Sequence, residues 1–301
     1  MDQRAIAPAS RHRCRHLPHG FRRAGARPRA DPAYIVVDAD SGAVLSDSQS
    51  DALWHPASLT KLMTAYVTFE ALKAGKLTMT SPVRISAHAL AQAPAKMGFK
   101  VGTIVNVDNA LKMMLVKSAN DIAVAIAETV GGSEPGFVAR MNATAARLGM
   151  ASTHYDNANG LPDDGQTTTA RDLAVLAKAL LTDFPEYRSY FGIPAIKAGK
   201  RILRSENALL ERYRGTTGMK TGFICASGYN IVATAHRGAR SLIAVVLGGR
   251  LRRRPQRVHR APARRRLRWF RRRLRGPESA SRFLRDDALR RAARRHARSS
   301  L

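Results

Sequence analysis

His55-Pro-Ala-Ser58-Leu-Thr-Lys61-Leu-Met-Thr-Ala65 places a hydroxyl and an amine three residues apart at the head of an apolar run. Leu62, Met63, Tyr66, Phe69 and Leu72 fall on one face of a helix expected over about residues 58–74, which Gly75 stops. On such a helix Ser58 and Lys61 share a face, with about 5–6 Å between their Cβ atoms. Ser58 also stands at the helix N-terminus, where unpaired backbone N–H groups and the helix dipole favour developing negative charge. A serine hydroxyl is a poor nucleophile at neutral pH and needs a base within hydrogen-bond reach. Lys61 suits that task only if its pKa is pulled down, as burial beside a second cation would do.

Two further strings follow in order, Ser118-Ala119-Asn120 and Lys220-Thr221-Gly222. Each has a bland reading by itself. Ser and Asn are ordinary helix caps, Lys-Thr-Gly can end a strand, and a Ser and a Lys three apart can be a helix start with a solvated lysine. Their order and context point elsewhere. Lys220 supplies the second cation that Lys61 needs, and it precedes two β-branched runs, Ser227–Ala235 and Ser241–Leu247, that read as sheet strands. The set is the signature of serine acyl transfer with a lysine base.

The likeness extends beyond the three strings. His55–Ala65, Met114-Leu-Val-Lys-Ser-Ala-Asn-Asp-Ile-Ala123, Met141–Met150 with Asn157-Ala-Asn-Gly-Leu161, and Gly218-Met-Lys-Thr-Gly222 followed by Ala226-Ser-Gly-Tyr-Asn230 carry it. On these segments the span from about 31 to 249 resembles the D-alanyl-D-alanine carboxypeptidases, the serine penicillin-binding proteins of low molecular weight. The resemblance implies an α+β fold of the β-lactamase/transpeptidase type, an antiparallel sheet flanked by helices. It implies a peptidoglycan pentapeptide ending in D-Ala-D-Ala as substrate and β-lactam antibiotics as acylating ligands. Ser58 would attack the penultimate carbonyl, Lys61 would take its proton, and Ser118 would relay a proton to the leaving nitrogen. Asn120 would orient Lys61 and hold the substrate amide; Lys220, Thr221 and Gly222 would receive the terminal carboxylate. The backbone N–H groups of Ser58 and Phe223 would form the oxyanion hole. No cofactor or metal is expected. Phe223 departs from the His or Tyr common at that place in the family.

Two other functions stay in view. A class A-like β-lactamase needs a Glu-x-x-x-Asn string between the second and third motifs. Glu128, Glu134, Glu186, Glu206 and Glu211 lie in that interval, and none has Asn four residues on. A non-catalytic β-lactam or muropeptide binder on the same fold has no need of Ser58, Lys61, Ser118, Asn120 and Lys220 together.

The chain has 301 residues and a formal net charge of +29, which at first suggests a nucleic-acid binder. The charge lies at the ends. Residues 1–30 hold 8 basic and 1 acidic residue, and residues 250–301 hold 21 and 3, every basic one arginine. The span 31–249 carries 22 basic and 18 acidic residues, so no specific nucleic-acid partner is expected. Arginine blocks with few apolar residues self-repel, so both ends are expected to be disordered; the 250–301 tail also reads as an out-of-frame translation of a GC-rich gene. Residues 1–30 show no apolar core of a signal peptide, and no apolar run is long enough for a transmembrane span. Location in the periplasm or cell envelope is implied by the resemblance alone.

Within the core, Ala33–Asp38, the Asp40-Ser-Gly42 turn and Ala43–Leu45 read as a hairpin. Helices are expected over about 107–117, 121–130 and 135–148, and a Thr169-Ala-Arg-Asp172 capping box opens another to about 181. The two closing strands are expected to pair with the opening hairpin.

Overall fold

The computed structural model describes residues 31–249 apart from Ala239. Both arginine-rich segments lie outside the described residues. The chain opens with β1 (Ala33–Asp38) and β2 (Val44–Ser48), followed by a 3-10 turn at Ala57–Leu59 and α1 (Thr60–Lys73). Next come β3 (Pro82–Arg84), α2 (Ala87–Ala91), β4 (Ile104–Asn106), α3 (Val107–Val116), α4 (Asn120–Gly131), α5 (Glu134–Arg147) and α6 (Ala170–Asp183). The last third holds β5 (Ala195–Ala198), β6 (Arg201–Arg204), α7 (Leu209–Arg212), β7 (Thr216–Ile224), β8 (Gly228–Arg237) and β9 (Arg240–Gly249).

The five long strands form one antiparallel sheet in the order β2-β1-β9-β8-β7. This corrects the expectation of two closing strands beside the hairpin. There are three, only β9 pairs with β1, and Lys-Thr-Gly lies inside the outermost strand, β7. Alternation along the strands sorts the faces. Ile35 opposite Val245, Val37 opposite Ile243, and Val232 opposite both Val245 and Lys220 share the face that packs on the helices. Lys220 and Gly222 therefore point toward the helical layer, while Phe223 pairs with Tyr229 on the other side of β7.

The expected helices are present with ends within a few residues. The Thr169 hydroxyl accepts from Asp172 N at 3.0 Å, as a cap should. The Asp172 carboxylate does not close a box; it accepts instead from Ser152 N and Thr153 Oγ1. The helix after Ser58 differs more. Every residue from Thr60 to Phe69 is buried, so α1 runs through the middle of the protein rather than showing it one apolar face. It packs against α4, α5 and α6. Its polar stripe is satisfied by backbone carbonyls: Thr60 Oγ1 donates to Ala57 O, Thr64 Oγ1 to Ala158 O and Thr68 Oγ1 to Thr64 O, all within 2.6–2.8 Å. Buried hydroxyls with partners avoid the desolvation cost that would otherwise keep threonine off such a helix.

Candidate active site

The three strings converge at one cleft between the head of α1, the α3–α4 turn and strand β7. Ser58 sits in the 3-10 turn that leads into α1, half-buried, and Lys61 is fully buried one turn on. Lys61 Nζ lies 3.0 Å from Ser58 Oγ, 2.7 Å from Asn120 Oδ1 and 2.5 Å from the Asn159 carbonyl. A neutral amine has two N–H groups and one lone pair. With the two carbonyl-type acceptors taking the two hydrogens, the lone pair is left facing the Ser58 hydroxyl. Burial pushes the Lys61 pKa well below its usual value, and the Lys220 charge lowers it further, against the opposing pull of Asp121.

Ser118 and Asn120 do not cap. Ala119 holds the cap position of α4 and makes no side-chain cap bond. The Ser118 hydroxyl receives a 2.8 Å hydrogen bond from Lys220 Nζ, which also donates to Thr221 O at 2.9 Å. Asn120 uses Oδ1 on Lys61 and donates from Nδ2 to Ala93 O at 2.8 Å. Ser118 has φ of +59°, a left-handed conformation that a residue with a Cβ adopts at a cost. Burial lowers the Lys220 pKa to about 8, Glu206 opposing and Lys117 assisting. Thr221 is half-buried, and the Phe223 ring is 39% exposed with its centroid 4.5 Å from that of Tyr229.

Two glycines permit the close approach. A Cβ on Gly222 would stand 2.9 Å from Ser58 N and 3.2 Å from Leu59 N, so strand β7 reaches the serine turn backbone to backbone. Gly160, at φ of +83°, comes closer still: a Cβ there would meet Ala57 O at 2.0 Å. Ala57 itself has φ of +50°. Gly160→Ala is therefore expected to destabilise the protein by about 2–3 kcal/mol, because clash and backbone strain add. Urea unfolding measures it, and a loss under about 1 kcal/mol would show that the two segments part without cost.

Sequence reasoning missed the residues that hold this cleft in shape. Asn159 supplies a carbonyl to Lys61, and its side chain reaches Gln92 Oε1 at 2.8 Å. Asp121, fully buried, accepts from Met97 N and Gly98 N and so anchors the 93–98 wall. Asn230 donates to His55 O and Pro56 O and accepts from Gly248 N, tying the serine turn to the sheet. Asn159 and Asn230 stood within the family-like segments, but nothing local marks a backbone carbonyl as a ligand.

The five-stranded sheet, the buried central helix and the cleft between them are those of the penicillin-binding proteins. Penicillin-binding protein D2 of Listeria monocytogenes in its ampicillin-bound form is a structural neighbour, with TM-score 0.62 and 31% identity over 72% of this chain and 88% of that one. The carboxypeptidase DacD of Francisella tularensis matches with TM-score 0.70 and 30% identity over 74% of this chain and 68% of that one. The chain belongs to the D-alanyl-D-alanine carboxypeptidase family, whose model matches residues 24–250. It is 38% identical over 225 residues to the D-alanyl-D-alanine carboxypeptidase DacA of Escherichia coli, which covers 72% of this chain. The match spans only 56% of the length of that relative.

Proposed function

We propose that the protein removes the terminal D-alanine from peptidoglycan stem peptides through an ester on Ser58, and that β-lactams acylate the same hydroxyl. The observation that carries this reading is the placement of Lys61 Nζ between Ser58 Oγ, Asn120 Oδ1 and Asn159 O. Neutral Lys61 takes the Ser58 proton as Oγ attacks the penultimate carbonyl. The oxyanion forms beside the head of α1 and the adjoining backbone of β7, where the Ser58 and Phe223 N–H groups are the donors. Ser118, held by Lys220, relays to the departing nitrogen the proton that Lys61 took from Ser58, as the C–N bond breaks. Charged Lys220 attracts the terminal carboxylate, with Thr221 and Gly222 beside it on the outermost strand. Water then hydrolyses the ester. The cell envelope, where such stem peptides lie, is the working location; among the described residues no helix is long and apolar enough to cross a membrane.

The test is release of D-alanine from a pentapeptide by the full chain, with intact-mass detection of one penicillin adduct. Neither product nor adduct from folded protein would refute the proposal, and an adduct without D-alanine release would leave a binder. A β-lactamase reading gains nothing from the geometry, because no described glutamate hydrogen-bonds to Ser58 or Lys61. Glu128 receives Ser86, Glu134 meets His88 and Ala158 N, and Glu206 pairs with Lys117.

The pH dependence follows from the two lysines. Lys61 must be neutral, so acylation rises as pH climbs through its lowered pKa. Lys220 must be charged, and a base keeps its proton only below its pKa, so acylation is expected to fall above about pH 8. Lys220→Arg, charged throughout, is expected to flatten that falling limb in a penicillin acylation profile. A limb unchanged in the variant would assign the fall to another group.

A further inference from the structure

The carbonyl that Asn159 offers to Lys61 belongs to a short buried segment whose peptide groups are gripped in succession. Ala158 N donates to Glu134 Oε1 at 3.0 Å, Ala158 O accepts from Thr64 Oγ1 at 2.6 Å, and Asn159 O accepts from Lys61 Nζ at 2.5 Å. Thr64 stands one turn beyond Lys61, so α1 holds two successive carbonyls of the segment. The N–H that precedes them is held from elsewhere, by Glu134 at the start of α5.

The Glu134 side chain is only 13% exposed and has two partners. Oε1 takes Ala158 N, and Oε2 lies 2.7 Å from His88 Nε2, where an ionised carboxylate can only accept. His88 stands on α2, and Gln92 follows at the end of that helix. Gln92 Oε1 accepts from Asn159 Nδ2 at 2.8 Å, and Gln92 Nε2 donates to His88 O at 3.3 Å. The hydrogen bonds therefore close a ring that runs from His88 through Glu134, Ala158, Asn159 and Gln92 back to His88. Ala158 and Asn159 are fully buried. Without the carboxylate the Ala158 N–H is left buried and unpaired, a cost that the segment relieves only by moving. Such a movement carries the adjoining Asn159 carbonyl with it.

We propose that Glu134 is a positioning residue for the general base: by holding Ala158 N–H against α2 it fixes the Asn159 carbonyl on Lys61 and so aims the Lys61 lone pair at Ser58. The inference rests on the catalytic reading above, in which Lys61 is neutral. One hydrogen of the amine goes to Asn120 Oδ1 and the other needs Asn159 O. With that acceptor displaced the amine turns about its Cε–Nζ bond, and the lone pair leaves the Ser58 hydroxyl. Glu134 itself touches neither Ser58 nor Lys61 and takes no proton in the reaction. Its role lies in acceptor geometry rather than charge. Glutamine can fill it, with Oε1 on Ala158 N and Nε2 donating to a His88 tautomer that carries its hydrogen on Nδ1.

The test is a cycle of four full-length proteins: the parent, Glu134→Ala, Lys61→Arg and the double variant, each followed by intact mass for its rate of penicillin acylation. Glu134→Ala is expected to slow acylation about 10–100-fold and to lower kcat for D-alanine release by a similar factor, with KM within about twofold of the parent. In the Lys61→Arg background the same substitution is expected to cost less than about twofold, because no lone pair is left to aim. Glu134→Gln is expected to hold the parent rate within about threefold. Tyr66→Phe calibrates lost stability: it deletes the hydroxyl that donates to Asp183 at 2.6 Å, and it is expected to lower the melting temperature with the acylation rate unchanged. Should Glu134→Ala fail to fold, Glu134→Asp takes its place in the cycle. Its carboxylate, one methylene shorter, cannot hold Ala158 N and His88 Nε2 together, and a loss of about five- to tenfold with the same non-additivity is expected. An equal loss in both backgrounds, a loss confined to KM, or a loss that Glu134→Gln shares would overturn the positioning role alone. Acylation of Lys61→Arg within a few fold of the parent would instead refute the catalytic reading, and the positioning role with it.

Discussion

Ser58→Ala is expected to abolish the penicillin adduct and to lower D-alanine release by at least about 10⁴-fold. The side chain is half-buried and stands 3.0 Å from Lys61 Nζ, so its loss removes the one atom that can form the ester. Nothing else in the cleft substitutes for it. Ser118 Oγ receives its hydrogen bond from Lys220, the cation proposed to remain charged, and so lacks a neutral base. The truncation itself should be well tolerated, since it deletes one hydroxyl from a turn held by Asn230 through His55 O and Pro56 O. Intact mass and released D-alanine are the readouts, with thermal unfolding to show that the fold survives. An adduct persisting in this variant would move the nucleophile elsewhere and dismantle the mechanism.

Lys61→Arg separates charge from basicity. Guanidinium keeps the cation but does not give up its proton in a protein, so a role in positive potential alone would survive the change. A role as general base would not, and penicillin acylation is expected to fall by about 10²–10⁴-fold. Arginine is also the larger group in a fully buried site bounded by Asn120 and Asn159, so some loss of stability is expected beside the loss of rate. The pH profile distinguishes the two effects. A damaged fold lowers the rate at every pH, whereas loss of the base removes the rise that Lys61 deprotonation produces. Acylation within a few fold of the parent would mean that another group takes the serine proton.

The helix ends, the opening hairpin and the three sequence strings were legible because each rests on a pattern a few residues long. Gly75 follows the helix it was expected to stop, and Thr169 caps α6 as its spacing suggested. The burial of α1 on all sides was not legible, because threonines at 60, 64 and 68 read as polar until their hydroxyls meet carbonyls, one of them 94 residues distant at Ala158. The pairing of the closing strands was equally hidden. A β-branched run declares a strand but not its neighbours, and local pattern offered the hairpin as partner where β9 alone took that place.

What the sequence by itself determined is the chemistry available: a serine, a lysine one turn on, and two later strings able to position a proton and a carboxylate. Only the tertiary structure decided that these groups act on one another. Lys61 finds Asn120 across 59 residues and Asn159 across 98, and Lys220 finds Ser118 across 102. The Asn159 contribution is a backbone carbonyl, which every residue type possesses, so only its orientation distinguishes it. The lowered pKa of Lys61 has the same origin, since burial and a neighbouring charge exist only once the sheet has packed on the helices.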